Sequence, residues 1–156
     1  LADPKTRSRF GQAVMEMLTD PVLEHLPEAM RPGAGPSAAE EWIKAREGST
    51  PIALVENQEA LVGLLFLFHP KDAPADTPLH LGYVFGEEAW GKGFASELVA
   101  GLMNELDKGP EQMLQAGVSP GNPASARVLE KSGFRLNDAL SDETILIFNR
   151  TVGATF

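Results

Sequence analysis

The sequence predicts a mixed α/β domain. Two apolar runs of strand length come first, joined by a short polar connection, and a strand–helix–strand–helix unit follows. Amphipathic helices fill the chain before the first strand.

Each element has a local reason. Phe10, Val14, Met17 and Leu18 fall at helical spacing, which predicts a helix over about 6–18. Asp20-Pro21 reads as an N-cap followed by proline at the first helical position, so a short second helical turn is expected. Residues 31–36 (RPGAGP) form a loop, and Ser37 with Glu40 reads as a capping box ahead of a helix bearing Trp42 and Ile43. The runs 51–55 and 60–68 are strands of a hairpin connected by Glu56-Asn57-Gln58-Glu59. After the polar loop 71–77 (KDAPADT), a third strand spans about 79–85. A helix over 91–107 puts Ala95, Leu98, Val99, Leu102 and Leu106 on one face. Residues 113–118 form the next strand. Asn122 caps a helix with Pro123 at its first position, Gly133 stops it, and 143–148 is the last strand.

A chain of 156 residues is read as one domain, 1–156, able to bury a core without staples. It has no cysteine, which excludes disulfides, cysteine-bound zinc and a cysteine nucleophile. No metal site is expected. No apolar run approaches the ~20 residues of a membrane span, and no signal peptide is visible, so a cytoplasmic protein with no membrane partner is expected. The net charge of −9 argues against nucleic acid, whose binding needs a basic surface, and favours a cationic substrate.

The most informative stretch is Gly82–Glu97, GYVFGEEAWGKGFASE, where a strand runs into a glycine turn that opens a helix. Gly91 and Gly93 let backbone approach a ligand closely, and the first N–H groups of the helix form a site for phosphate. Gly86, Gly91 and Lys92 match a nucleotide P-loop, but Gly93 stands where Ser or Thr should hold Mg²⁺, and Glu87 and Glu88 oppose a triphosphate. A dinucleotide fingerprint fails because Ser96 replaces its last glycine. A plain helix start is the third alternative.

A second segment decides among them. Trp90-Gly91-Lys92-Gly93-Phe94-Ala95 resembles the Q/R-x-x-G-x-G/A pyrophosphate loop of the GNAT superfamily, the acetyl-CoA-dependent N-acetyltransferases. Residues 122–134 (NPASARVLEKSGF) resemble that family's N-x-x-S-x-x-V-x-x-K-x-G-F segment, in the expected order and with a strand between. The resemblance is sharp over 79–136 and diffuse over 10–70. In detail it is closest to the ribosomal-protein-alanine acetyltransferase branch, whose W-G-K-G-Y/F-A-T/S-E pattern Trp90–Glu97 follows.

That resemblance implies an acyl-CoA N-acyltransferase fold: a central, mostly antiparallel sheet splayed at two parallel strands and flanked by helices. It implies acetyl-CoA as co-substrate and an amine acceptor, either a small molecule or a protein N-terminus. It also implies a homodimer as one assembly. The cofactor would meet Val84, Phe85, Trp90, Gly91, Lys92, Gly93, Phe94, Ala95, Ser96, Asn122 and Ser125. Trp90 departs from the superfamily's Gln or Arg and cannot make a fork contact to phosphate, so binding should fall on backbone N–H groups, with Lys92 as added charge. Residues 1–9 carry no apolar strand like the one the family places before its first helix, so that strand is expected to be missing or atypical.

Without cysteine, direct attack of the amine on the thioester is favoured over an acyl-enzyme, with a backbone N–H near Phe85 as oxyanion donor. The tyrosine that many members use to protonate the thiolate is replaced by Leu129. The candidates for that proton are Ser125 and Tyr83, the only tyrosine. The carboxylate base of some members falls near Leu79; the adjacent His80 is the candidate base, and a base acting through water from another position is the alternative. A lysine amine costs about 4–5 kcal/mol to deprotonate at pH 7 and an α-amine about 1, so a site without an evident strong base suits an α-amine or another low-pKa amine. The alternative from another class is a non-catalytic CoA-binding regulatory module.

Overall fold

The computed structural model describes residues 3–46 and 51–153. The helices are α1 (Pro4–Met17), α2 (Asp20–Leu23), α3 (Ala38–Arg46), α4 (Phe94–Leu106) and α5 (Pro123–Lys131). The strands are β1 (Ile52–Asn57), β2 (Ala60–Phe68), β3 (Leu79–Phe85), β4 (Gln112–Val118), β5 (Arg135–Leu136) and β6 (Leu146–Val152). They form one sheet in the order β1-β2-β3-β4-β6-β5. The β3/β4 pair is parallel, whereas β4/β6 and β5/β6 are antiparallel and β1/β2 is a hairpin. This is the mixed, mostly antiparallel α/β architecture that the sequence predicts. Its contacts divide the chain into two compact units, Leu1–Leu65 with Val84–Trp90, and Phe66–Tyr83 with Gly91–Phe156.

In the first unit α1 packs against α3. Gly11 permits the approach, since a Cβ there would stand 3.2 Å from both Ala39 Cβ and Ile43 Cδ1. Phe10, Val14, Met17, Val22, Trp42 and Ile43 are buried. Trp42 Nε1 donates to Met30 O at 2.8 Å, and the Arg46 guanidinium stacks 4.2 Å from the Trp42 ring. The expected cap at Asp20 is displaced by one residue: Thr19 is the N-cap, and Asp20 already belongs to α2 with proline behind it. Glu40 pairs with Arg7 at 3.0 Å, the use the structure gives it in place of the expected capping box. The four-residue hairpin connection shrinks to Gln58-Glu59, with φ of 50° and 66°, because a two-residue turn matches the twist of its strands. Residues 1 and 2, in the stretch without the expected first strand, lie outside the described residues, and α1 begins at Pro4.

In the second unit β4 pairs with β6 along its whole length, from Gln112↔Val152 to Val118↔Leu146. That pairing carries β6 beyond the predicted end at Phe148, through the polar Asn149, Arg150 and Thr151, to the buried Val152. Its start is delayed to Leu146 because Asp142 Oδ1 accepts from Thr144 N at 2.7 Å and Ile145 N at 3.0 Å, an Asx turn. Thr144 Oγ1 also donates to Asp142 Oδ1 at 2.6 Å, and this bond first, then the two backbone ones, holds the exposed Asp142 carboxyl below its ordinary pKa. Helix α4 begins at Phe94 rather than 91, and it buries Val99 and Met103 most completely. It packs on α5.

Candidate active site

The second unit contains a break in its sheet. The parallel ladder of β3 with β4 pairs Leu79↔Leu114, His80↔Gln115 and Leu81↔Ala116, then stops, although β3 continues through Gly82 and Tyr83 and β4 through Gly117 and Val118. Two helix N-termini of the same unit follow these strands in sequence, those of α4 and α5.

The approach to α4 is set by backbone geometry. Gly91 and Gly93 have φ of 72° and 80°, in the left-handed region that L side chains rarely adopt, and Gly93 is the helix N-cap. A Cβ at either glycine would meet nothing within 4 Å, so the space over the turn is open. The first intrahelical donor is Glu97 N, which bonds Gly93 O at 3.0 Å. The N–H groups of Phe94, Ala95 and Ser96 therefore precede the helical ladder and carry the positive end of the dipole. Lys92 is exposed beside them. This is a donor set of the kind a pyrophosphate requires.

Trp90 is used differently. Its Nε1 donates to Phe85 O at 3.0 Å, and its ring lies tilted against His25 with centroids 6.2 Å apart. The indole N–H is thus committed to main chain. Val84 and Phe85, also in the first unit, are buried.

At α5 the Asn122 side chain accepts from Ser125 N at 3.2 Å, the predicted cap, with Pro123 opening the helix. The cap fixes Ser125, whose hydroxyl lies 2.8 Å from Tyr83 Oη. Burial pushes the Tyr83 phenol above its ordinary pKa, and the Ser125 hydrogen bond offsets part of that rise. The structure thus joins two candidate residues that sequence spacing alone does not connect. Leu129 is fully buried one turn later. The end of the motif also has a structural use. Phe134 N donates to Leu129 O at 3.0 Å and Gly133 N to Glu130 O at 3.1 Å, a Schellman cap with Gly133 at φ 86°.

His80 is not part of this pair. It lies an odd number of positions from Tyr83 on β3, so the two side chains leave opposite faces of the sheet. On its own face His80 stacks with Phe68 at 5.5 Å, and burial first, then His69, lowers its pKa. Glu87 accepts from Thr19 Oγ1 at 2.5 Å, while Glu88 is exposed. Among the described residues no group of three or more His, Cys, Asp and Glu side chains is placed to hold a metal ion. No helix among them is long and apolar enough to cross a membrane.

Comparisons with known proteins bear on the fold and the family. In fold the chain is similar to RimL, a ribosomal L7/L12 α-N-protein acetyltransferase in complex with CoA. The identity is 17%, the TM-score 0.71, and the match covers 97% of this chain and 91% of that one. It is similar to spermidine N-acetyltransferase from Vibrio cholerae in complex with CoA and spermine, at 16% identity and TM-score 0.69, covering 90% and 89%. It is also similar to a ribosomal-protein-alanine N-acetyltransferase from Brucella melitensis, at 19% identity and TM-score 0.62, covering 91% and 94%. The uncharacterized protein YkkB of Bacillus subtilis (strain 168) is 30% identical over 87 residues, 52% of this chain and 49% of that protein. The chain thus matches about half the length of that curated relative. A family model described as an acetyltransferase (GNAT) domain matches residues 7–135. The chain belongs to the GNAT acetyltransferase family.

Proposed function

We propose that this protein transfers the acetyl group of acetyl-CoA to a primary amine of low pKa, a protein or peptide α-amine above all, by direct attack on the thioester. The observation that carries the reading is the 2.8 Å contact between the Tyr83 and Ser125 hydroxyls, with Tyr83 on β3 just beyond the last rung of the β3/β4 ladder. Acetyl-CoA supplies the activated acetyl group. The amides of Phe94, Ala95 and Ser96 hold its pyrophosphate, Lys92 adds charge, and Gly91 and Gly93 keep the turn clear of side chains. Asn122 fixes Ser125 through the helix cap. When the tetrahedral adduct collapses and its carbon–sulfur bond breaks, Ser125 Oγ gives its proton to the leaving thiolate and takes one from Tyr83, while the proton shed by the acylated nitrogen passes to solvent, which reprotonates the Tyr83 phenolate. The phenol is the stronger acid of the two, and it stays protonated at neutral pH.

The choice of amine rests on what faces this pair. His80, the candidate base, leaves the other side of β3. An acceptor that arrives largely neutral then has the advantage, and an α-amine needs about 3–4 kcal/mol less than lysine to reach that state at pH 7. The fold alone does not select the acceptor, because it is shared with enzymes named for a protein α-amine and for spermidine.

Thioester consumption, with the mass of the product, should be followed for peptides with free or blocked N-termini, lysyl peptides, polyamines and aminoglycosides. The free α-amine peptides should show kcat/KM at least about tenfold above lysyl peptides at pH 7. Equal or better use of lysyl side chains would overturn the acceptor assignment, and CoA binding without turnover of any amine would overturn the reaction.

A further inference from the structure

The turn between β3 and the glycine loop is fastened at several points within the first unit. Gly86 N donates to Val62 O at 3.0 Å, and a Cβ at Gly86 would stand 2.8 Å from Met17 Cγ. Thr19 Oγ1 donates to Glu87 at 2.5 Å. Trp90 N donates to Glu87 O at 3.1 Å, and Trp90 Nε1 reaches back to Phe85 O at 3.0 Å. The last contact is the unusual one. Trp90 is 44% exposed, so burial of its ring is not a sufficient reason for a tryptophan here. Its N–H spans from the last residue before the glycines to the final carbonyl of the strand.

We infer that Trp90 is a positioning residue for the cofactor loop, its indole acting as a latch that fixes the point from which Gly91–Gly93 departs. The inference rests on the cofactor reading given above. Gly91 and Gly93 each open conformations closed to other residues, so an untethered turn would sample many arrangements of its own Gly91, Lys92 and Gly93 amides ahead of α4. A loop fixed at its first residue loses less freedom when it binds an anion, and that saving appears as affinity. With its N–H committed to Phe85, the indole contributes through the loop's shape and not as a phosphate donor.

Trp90→Phe keeps a ring beside His25 and removes the N–H. CoA affinity measured by calorimetry should weaken about threefold to tenfold, the scale of one hydrogen bond. The KM for acetyl-CoA should rise in step, while kcat stays within about twofold because the interaction is the same in ground and transition states. Thermal unfolding identifies a variant that is still folded, and Trp90→His, which restores a ring N–H, serves as the second variant and should recover part of the affinity. Unchanged CoA affinity in folded Trp90→Phe, beside a wild type that binds, overturns the latch alone. A loss in kcat with KM unmoved also overturns it. A wild type that binds no CoA overturns the cofactor reading, and the latch with it.

Discussion

Ser125→Ala should lower kcat about tenfold to a hundredfold while moving the KM for acetyl-CoA less than about threefold. The split follows from when the hydroxyl acts: its bond to the thiolate forms only as the carbon–sulfur bond breaks, so its loss is felt in the transition state. The magnitude sits at the low end of general-acid effects because the proton moves uphill. Tyrosine has an ordinary pKa near 10 and a cysteine-like thiol one near 8.5, and burial raises the Tyr83 phenol further. Tyr83→Phe should match the Ser125→Ala loss, and the double variant should lose little more than either, because the hydroxyls work as one chain. The pH profile gives an independent sign. The donor form is protonated and its pKa is raised, so kcat with the wild type should decline only above about pH 10, and Tyr83→Phe should lack that limb. The same shift makes stability from the buried neutral phenol present below the unfolded pKa and lost as pH rises through the folded one. Full activity in Ser125→Ala, or a kcat for Tyr83→Phe equal to wild type, would remove the pair from the chemistry.

Gly93→Asn should weaken CoA binding at least about tenfold, or ~1.4 kcal/mol, with the protein still folded. A Cβ at this position meets no protein atom within 4 Å, so added bulk falls on whatever occupies the open space over the turn. Asparagine is chosen because it tolerates the left-handed conformation that Gly93 adopts at φ 80°. Gly93→Val should lose more affinity, since a β-branched residue is strained there and shifts the N-cap of α4 as well. Calorimetry on folded Gly93→Asn with unchanged CoA affinity would contradict a pyrophosphate site at this turn.

Much of the fold was legible because its signals are local. The apolar run 60–68 and the strand 79–85 match β2 and β3, and Asn122, Pro123 and Gly133 bound α5 as their capping chemistry predicts. The errors lie where longer-range structure decides. Strand β6 passes its polar residues because β4 pairs with it to Val152, and that partner is invisible in the local pattern. Strand β5 is two residues held by β6, too short to show any periodicity. Helix α4 starts at Phe94, three residues after the predicted 91, because Gly91 and Gly93 take positive φ, which the one-dimensional pattern does not reveal.

The site divides in the same way. The glycine turn and the Asn122 helix carry sequence motifs, so each could be found without coordinates. The Tyr83–Ser125 contact joins residues far apart in the chain, and sequence could offer them only as separate candidates. His80, the candidate base, lies on the face of β3 opposite Tyr83, and which face meets Ser125 is set by the fold and not by the residue type. Trp90 drew attention as a departure from the superfamily pattern, but its bond to Phe85 O depends on a turn whose shape the sequence does not reveal.

The turn opening α4 and the cap opening α5 are proposed to serve one cofactor. Backbone amide resonances of the isotope-labelled protein, followed during a titration with CoA, test this most directly. Saturable shifts are expected at Phe94, Ala95 and Ser96 together with Asn122 and Ser125, all with one dissociation constant. Saturable CoA binding that leaves either of these two segments unmoved would contradict it.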